Sequence, residues 1–417
     1  MMQADKKQVQ AGFQGADWGD RSLPSGTQIH TAPLRTADGA STKGLLYSCG
    51  SPDTVAVLMH PREFTLNHYL VPDILEAGLA AWSQAPRSVG VDLRLEHEAA
   101  LLDLASGLTY LRKLGFKRIV LVGNSGGASL HTFYVQQSGL APEARIERTP
   151  AGGKTHLAQA TMPMIDGIVY VAPHPGQGKL LMQAIDPSVV DENDPLRADP
   201  LLDAFHPQNG YSGSRSEPTR YSAEFIATYR AAQQQRVARL DERARELITR
   251  RRAARRKVDE GSTDREDRVL AYHTPAITIW RTDADLRCFD LAIDPSDRKV
   301  GTVWGRNPYA SNYGVIGFSR FCTPEAWLST WSGHTSNAVI AKTGLSVTQP
   351  VLLIEYTGDQ TVFPTDVRQI FETLPSSNKR MLRIRGDHHG RALQEDEEPG
   401  RFIAGREIQD WLRSNFG

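Results

Sequence analysis

Residues 119–127 read Ile-Val-Leu-Val-Gly-Asn-Ser-Gly-Gly, and Ala128 and Ser129 follow. An apolar run entering G-x-S-x-G, with small residues able to open a helix behind it, is the order a nucleophilic serine needs. A buried strand ends, the chain turns sharply, and the Ser125 hydroxyl stands at the top of a sheet. Gly123 and Gly127 suit so tight a turn because a side chain at either would meet the neighbouring strand or helix. A serine hydroxyl is a poor nucleophile at neutral pH, so Ser125 requires a base within hydrogen-bond reach and an acid to orient that base. Two loops far downstream offer both. Asp359 lies in Thr-Gly-Asp-Gln-Thr-Val-Phe-Pro, residues 357–364, just past the apolar run Val-Leu-Leu-Ile-Glu-Tyr. His388 and His389 lie in Gly-Asp-His-His-Gly, residues 386–390, and either could be the base. Asp387 is adjacent to His388, and neighbouring residues seldom point correctly for an Asp–His hydrogen bond. Asp359 is therefore expected to be the acid, with Asp387 bracing its loop. The Gly126 N–H, directly after the nucleophile and at the positive end of the following helix, is the expected oxyanion donor.

The elements that must carry these residues follow from hydrophobic periodicity. Two β-like stretches, 28–34 and 44–48, flank the turn Asp38-Gly39. Thr54 to Met59 reads as a buried strand broken at His60-Pro61. Leu70, Ile74, Leu75, Leu79 and Trp82 recur at helical spacing and predict a helix over 69–82. Ser88 to Val91 reads as a strand. Leu101, Leu104, Leu108, Leu111 and Leu114 predict an amphipathic helix closed by Gly115. Gly167 to Ala172, Val351 to Tyr356 and Met381 to Ile384 predict further strands, and Phe402, Ile403, Ile408 and Trp411 a closing helix. Short apolar strands alternating with amphipathic helices predict an α/β class fold: a doubly wound, mostly parallel sheet covered on both faces.

The whole pattern resembles the α/β-hydrolase fold family over roughly residues 27–175 and 348–417. The elbow GNSGG, the acid loop GDQTVFP and the histidine loop GDHHG carry the resemblance, in the chain order serine, aspartate, histidine. The resemblance implies a hydrolase of esters, amides, lactones, thioesters or activated C–C bonds. It selects His388 as base over His389. It also implies a second oxyanion N–H in the loop after the strand 54–59. There the family often has His-Gly, whereas this chain reads His60-Pro61-Arg62, so the Arg62 N–H is the candidate, with Glu63 N–H as the alternative.

Between Gly176 and Val347 the strand–helix rhythm stops. Ser222 to about Lys257 predicts a long helix with Phe225, Tyr229, Val237, Leu240, Ala244 and Leu247 on one face. A strand-like segment, 276–280, and a stretch rich in aromatics follow. We expect three parts: a polar lead-in over 1–26, a catalytic core over 27–175 and 348–417, and a mostly helical lid over 176–347 inserted after strand six. A lid there would lie at the sheet edge where the site forms. His174, Trp327 and Trp331 are candidate substrate-binding residues, with Tyr313 as a further aromatic. The apolar face of the long helix would also suit a homodimer.

Composition narrows the alternatives. The 417 residues carry 48 basic and 48 acidic side chains, so no global field favours nucleic acid or an anionic membrane. The run Arg250 to Lys257 lacks interleaved aromatics and is followed by acidic residues, which predicts ion pairing, not base stacking. No apolar run reaches the length of a membrane span, residues 1–10 carry no signal-like apolar segment, and three scattered cysteines suit a reducing cytoplasm. No metal spacing and no G-x-G-x-x-G after a strand is present, so neither a metal nor any other cofactor is expected. The expected partner is a small-molecule substrate. The leading reaction is hydrolysis of a carboxylic ester, of a bulky or hydrophobic kind if the insertion shapes the pocket. C–C, lactone or thioester hydrolysis by the same residues is the alternative, and a non-catalytic binding protein on a hydrolase scaffold the remaining one.

Overall fold

A computed structural model describes residues 21–63, 65–89, 92–213, 217–314, 317–318 and 321–417. Eight strands form one sheet: β1 (Gln28–Arg35), β2 (Ser41–Ser48), β3 (Thr54–Leu58), β4 (Ala80–Gln84), β5 (Arg118–Asn124), β6 (Gly167–Val171), β7 (Val351–Tyr356) and β8 (Lys379–Ile384). Their spatial order is β1-β2-β4-β3-β5-β6-β7-β8. β1 pairs antiparallel with β2 and β2 with β4; every other neighbouring pair is parallel. β3, β4, β6 and β7 are buried along their whole length, as parallel strands covered on both faces must be.

Alternate side chains along each strand feed two cores. Val55, Val57, Ile119, Leu121, Ile168, Tyr170 and Leu353 face one side. There they meet α2 (His97–Lys113), α3 (Gly126–Ser138) and a helix over Pro364–Thr373. Ala56, Leu58, Val120, Val122, Val169 and Leu352 face the other side, against α1 (Val71–Glu76) and the closing helix Gly400–Phe416. This period-2 division fixes strand register, because a one-residue slip would exchange the two faces.

One part of the predicted order is corrected. The helix expected over 69–82 is only α1, ending before Gly78, whose φ is +87°. Leu79 to Trp82 belong instead to the approach and body of β4. Their apolar spacing fits a helix only because a strand buried on both faces is continuously apolar and carries no period of its own. The strand expected over 88–91 is not formed at Ser88 and Val89, which lie in a turn; Gly90 and Val91 lie outside the described residues. Of the lead-in over 1–26, residues 1–20 likewise lie outside them.

Between β6 and β7 the chain leaves the sheet and builds two small cores of its own. α4 (Gln177–Ala184) comes first, and α5 (Ala223–Asp259), with the Ser222 hydroxyl accepting from the Phe225 N–H as its N-cap, is the longest element. Val237, Leu240, Ala244 and Ile248 of α5 pack with Leu181, Trp327, Leu328 and Trp331. Tyr229, Phe205, Leu286 and Phe289 form the second core with Phe363. The apolar face of α5 is thus covered by its own chain. Its basic end is paired: Arg251 with Glu325, Arg255 with Asp259 and Lys257 with Asp267. Among the described residues, no helix is long and apolar enough to cross a membrane.

Candidate active site

The C-terminal ends of β3, β5, β6, β7 and β8 lie along one edge of the sheet, and each delivers one part of the site. β5 ends at Asn124, and Ser125 sits at φ 55° and ψ −123° before α3 begins at Gly126. This conformation is costly for a residue with a side chain, about 1–3 kcal/mol, and is held only because its surroundings over-determine it. The Ser125 N–H donates to Val171 O at 2.9 Å, and Ser125 O accepts from the His174 N–H at 3.1 Å. Two glycines make the turn possible. A Cβ on Gly123 would lie 2.7 Å from the Ala128 Cα, and one on Gly127 would lie 2.5 Å from the Met59 carbonyl oxygen. Both obstacles are backbone, so neither can give way.

Ser125, His388 and Asp359 meet. Ser125 Oγ is 3.0 Å from His388 Nε2, and His388 Nδ1 is 2.7 Å from Asp359 Oδ2. The other carboxylate oxygen of Asp359 accepts the N–H groups of Thr361 and Val362 at 2.7 and 3.0 Å, which fixes the carboxylate plane. Burial alone would lower the basicity of His388, but the charge and hydrogen bond of Asp359, helped by Asp387 and Glu63, hold its pKa above the ordinary imidazole value. Asp387 accepts the His389 and Arg391 N–H groups, both at 3.0 Å, and pairs with the Arg391 guanidinium, so it braces the histidine loop. His389 packs edge-on against His388 with ring centroids 5.2 Å apart and makes no hydrogen bond to Ser125. The runner-up base is therefore not placed to act.

His174 is closer to the chemistry than its turn sequence suggests. Its Nε2 lies 3.0 Å from Ser125 Oγ, and its Nδ1 lies 3.2 Å from Gln177 Oε1. The rings of His174 and His388 stack with centroids 5.5 Å apart. Ser125 has one hydroxyl proton, so it donates to only one of these rings at a time. Burial, and then the positive His388 beside it, push the His174 pKa down to about 3, so this ring stays neutral.

Arg62 lines the cavity over Ser125, whereas Trp327, Trp331 and Tyr313 stand elsewhere. The Arg62 N–H donates to His60 Nδ1 at 3.2 Å, and the alternative Glu63 N–H donates to the same nitrogen at 3.1 Å. Neither backbone group is aimed at Ser125. The Arg62 side chain is held by both carboxylate oxygens of Asp92, at 2.7 and 3.0 Å, and by Gly317 O. Trp327 and Trp331 are fully buried in the core that α5 covers, with Trp327 Nε1 donating to Asp241 Oδ1 at 2.7 Å. An indole between packed helices meets the same apolar demand as one in a pocket, and composition does not separate the two. Tyr313 stacks beneath the guanidinium of Arg281 and does not line the site. Among the described residues the Gly126 N–H has no backbone acceptor, as the first N–H of a helix should not.

A cavity opens over Ser125. Its walls include Leu58, Met59 and Val122 from the sheet, Val303 and Phe318 from the insertion, and the polar side chains of His60, Glu63, His68 and Gln177. It is small, with a volume of about 40 Å³. Gln177 belongs to no spacing or motif that would select it, and Glu63 entered only as a candidate backbone donor, not as a polar side-chain wall. His60 had a positional signal, since it lies just past the end of β3 at the same sheet edge as the nucleophile.

The sequence matches no protein-family model and no curated protein. Among solved structures it is similar to DcsB in complex with a substrate analogue, at TM-score 0.49 and 14% identity over 93% of this chain and 100% of that one. It is also similar to the esterase domain of a Rhodothermus marinus protein, at TM-score 0.44 and 9% identity over 94% of this chain and 100% of that one. A monoacylglycerol lipase of Paleococcus ferrophilus gives TM-score 0.41 and 15% identity over 93% of this chain and 99% of that one. The fold follows from the chain's own geometry: an elbow after β5, an acid loop after β7, a histidine loop after β8, and a parallel sheet with an antiparallel β1–β2 margin. With that strand order and that placement of Ser125, Asp359 and His388, the chain has the α/β-hydrolase fold.

Proposed function

We propose that the protein is a serine hydrolase that cleaves a carboxylic ester through an acyl-enzyme on Ser125. The observation that carries this reading is the continuous hydrogen-bonded line from Ser125 Oγ through His388 to Asp359, at 3.0 and 2.7 Å. Ser125 Oγ attacks the ester carbonyl carbon while His388 Nε2 takes its proton. The tetrahedral intermediate collapses, and His388 returns the proton to the departing alcohol. Water, deprotonated by His388, then attacks the acyl-enzyme and releases the acid. Asp359 keeps the His388 proton on Nδ1 and stabilises the imidazolium. A serine at the elbow argues against reactions in which a carboxylate must form the ester intermediate.

The insertion acts as the lid of this site. Phe318 and Val303 reach the cavity from it, and the Gly317 carbonyl accepts from Arg62, tying it to the loop after β3. A cavity this small favours a compact group next to the scissile bond, whereas a bulky one requires the insertion to move. The test is turnover of p-nitrophenyl esters of rising acyl length by the full chain beside Ser125→Ala. Hydrolysis that is fastest for short acyl groups and absent in the variant supports the reading. Equal hydrolysis by the variant rejects it.

A further inference from the structure

The nucleophile and base have partners, yet the loop that should supply the second oxyanion donor has both candidate N–H groups turned to His60 Nδ1. That arrangement determines the state of His60. With Nδ1 accepting two backbone donors, the ring proton can sit only on Nε2. Among the described residues the only hydrogen bonds at the His60 ring are those that Nδ1 accepts. Nε2 lies at the mouth of the elbow, where a Cβ built on Gly126 would lie 2.8 Å from His60 Nε2 and 2.6 Å from the Gln177 side-chain nitrogen. A side chain at 126 would collide with both groups, so glycine is what lets His60 Nε2 approach the elbow so closely. His60, Gln177 and Ser125 line one cavity, and the Gly126 N–H stands beside it as the first N–H of α3.

We propose that the oxyanion hole of this protein is built from the Gly126 N–H and the side-chain Nε2–H of His60, in place of a second backbone amide. Taking the Ser125 hydrolase reading as its premise, the inference concerns how that site stabilises charge. The oxyanion needs donors that are neutral, dry and fixed before reaction. Burial and the nearby cations Arg62 and His388 push the His60 pKa down to about 3, so the ring remains a neutral donor across the working range. A neutral imidazole can act as an electrophile in this way. Pro61 has its own place here: it has no N–H, and it stiffens the turn that lets residues 62 and 63 both reach back to His60.

Two isosteres separate the two nitrogens. In His60→Asn the amide oxygen can stand where Nδ1 stood and keep the Arg62 and Glu63 N–H bonds, while nothing replaces Nε2–H. In His60→Gln the amide nitrogen stands near Nε2 and can donate. We expect kcat to fall about 100- to 1,000-fold in the asparagine variant with KM little changed, and within about tenfold of wild type in the glutamine variant. The direct readout is a trifluoromethyl ketone labelled with carbon-13 at the carbonyl, whose hemiketal oxyanion titrates by NMR. In wild type the hemiketal should remain ionised to low pH, and in His60→Asn its pKa should rise by two to three units, the same factor of about 100 to 1,000. A folded His60→Asn variant with an unmoved oxyanion pKa would overturn the proposal. Wild-type protein that forms no hemiketal on Ser125 would instead overturn the hydrolase reading beneath it.

Discussion

Asp359→Asn should disable the site by fixing the wrong proton, with no loss of packing. Asp359 Oδ1 accepts two backbone N–H groups, from Thr361 at 2.7 Å and Val362 at 3.0 Å. In the variant this position must still hold an acceptor, because an NH₂ group there would face two donors with no acceptor between them, a cost of about 1–3 kcal/mol for each buried group left unpaired. The asparagine oxygen therefore stays with the loop and its NH₂ turns to His388 Nδ1. That nitrogen must then accept, and the ring proton moves to Nε2, facing Ser125. The base has become a donor. The expected loss in kcat is about 10⁴-fold, the size found when a triad aspartate elsewhere is replaced by asparagine, or roughly 5.5 kcal/mol of barrier. A second consequence concerns pH. The neutral form of His388 is the active one, and Asp359 holds its pKa up, so wild-type kcat/KM should fall on the acid side through a value above the ordinary imidazole pKa of about 6.5. Removing the charge must shift that acid limb to lower pH. Stopped assays of kcat/KM across pH 4–9 for both proteins, with circular dichroism as a check of folding, test both points. A loss below tenfold with an unmoved acid limb would refute the reasoning.

Three further outcomes follow from the packing around the site. Gly127→Ala places a Cβ 2.5 Å from the Met59 carbonyl oxygen, so thermal unfolding should show a loss of about 1–3 kcal/mol or more, together with a fall in kcat as the elbow shifts. Trp327→Phe removes the indole donor to the buried Asp241 and should cost about 1–3 kcal/mol in chemical denaturation while KM stays unchanged; a raised KM would return Trp327 to the pocket wall. Phe318→Ala enlarges the cavity from the insertion side, and kcat/KM should shift toward longer acyl chains by about tenfold per few methylenes accommodated, as measured across an ester series.

The sheet was legible wherever its strands are short, β-branched and bounded by turn residues, as at Thr54–Leu58, Gly167–Val171 and Val351–Tyr356. It was illegible at Ala80–Gln84, whose residues are buried on both faces and so imitate a helical stripe. Ser125, Asp359 and His388 could be read because each follows a strand and they fall in the chain order of the α/β-hydrolase pattern the sequence resembles. The second oxyanion donor we propose could not, because it depends on a choice among N–H groups in one turn. His60 takes the Arg62 and Glu63 amides for itself, and spacing carries no trace of that exchange. Trp327 and Trp331 were misplaced because the insertion has its own core, and an aromatic-rich stretch looks the same whether it lines a cavity or fills one.

The central claim is that Ser125 is an activated nucleophile. Intact-protein mass spectrometry after exposure to a small fluorophosphonate, beside Ser125→Ala, tests it most directly. The account predicts one adduct, located on Ser125, absent from the variant, and formed at a rate that rises with pH as His388 loses its proton. An unlabelled, well-folded wild-type protein, or an adduct that persists in Ser125→Ala, would contradict it.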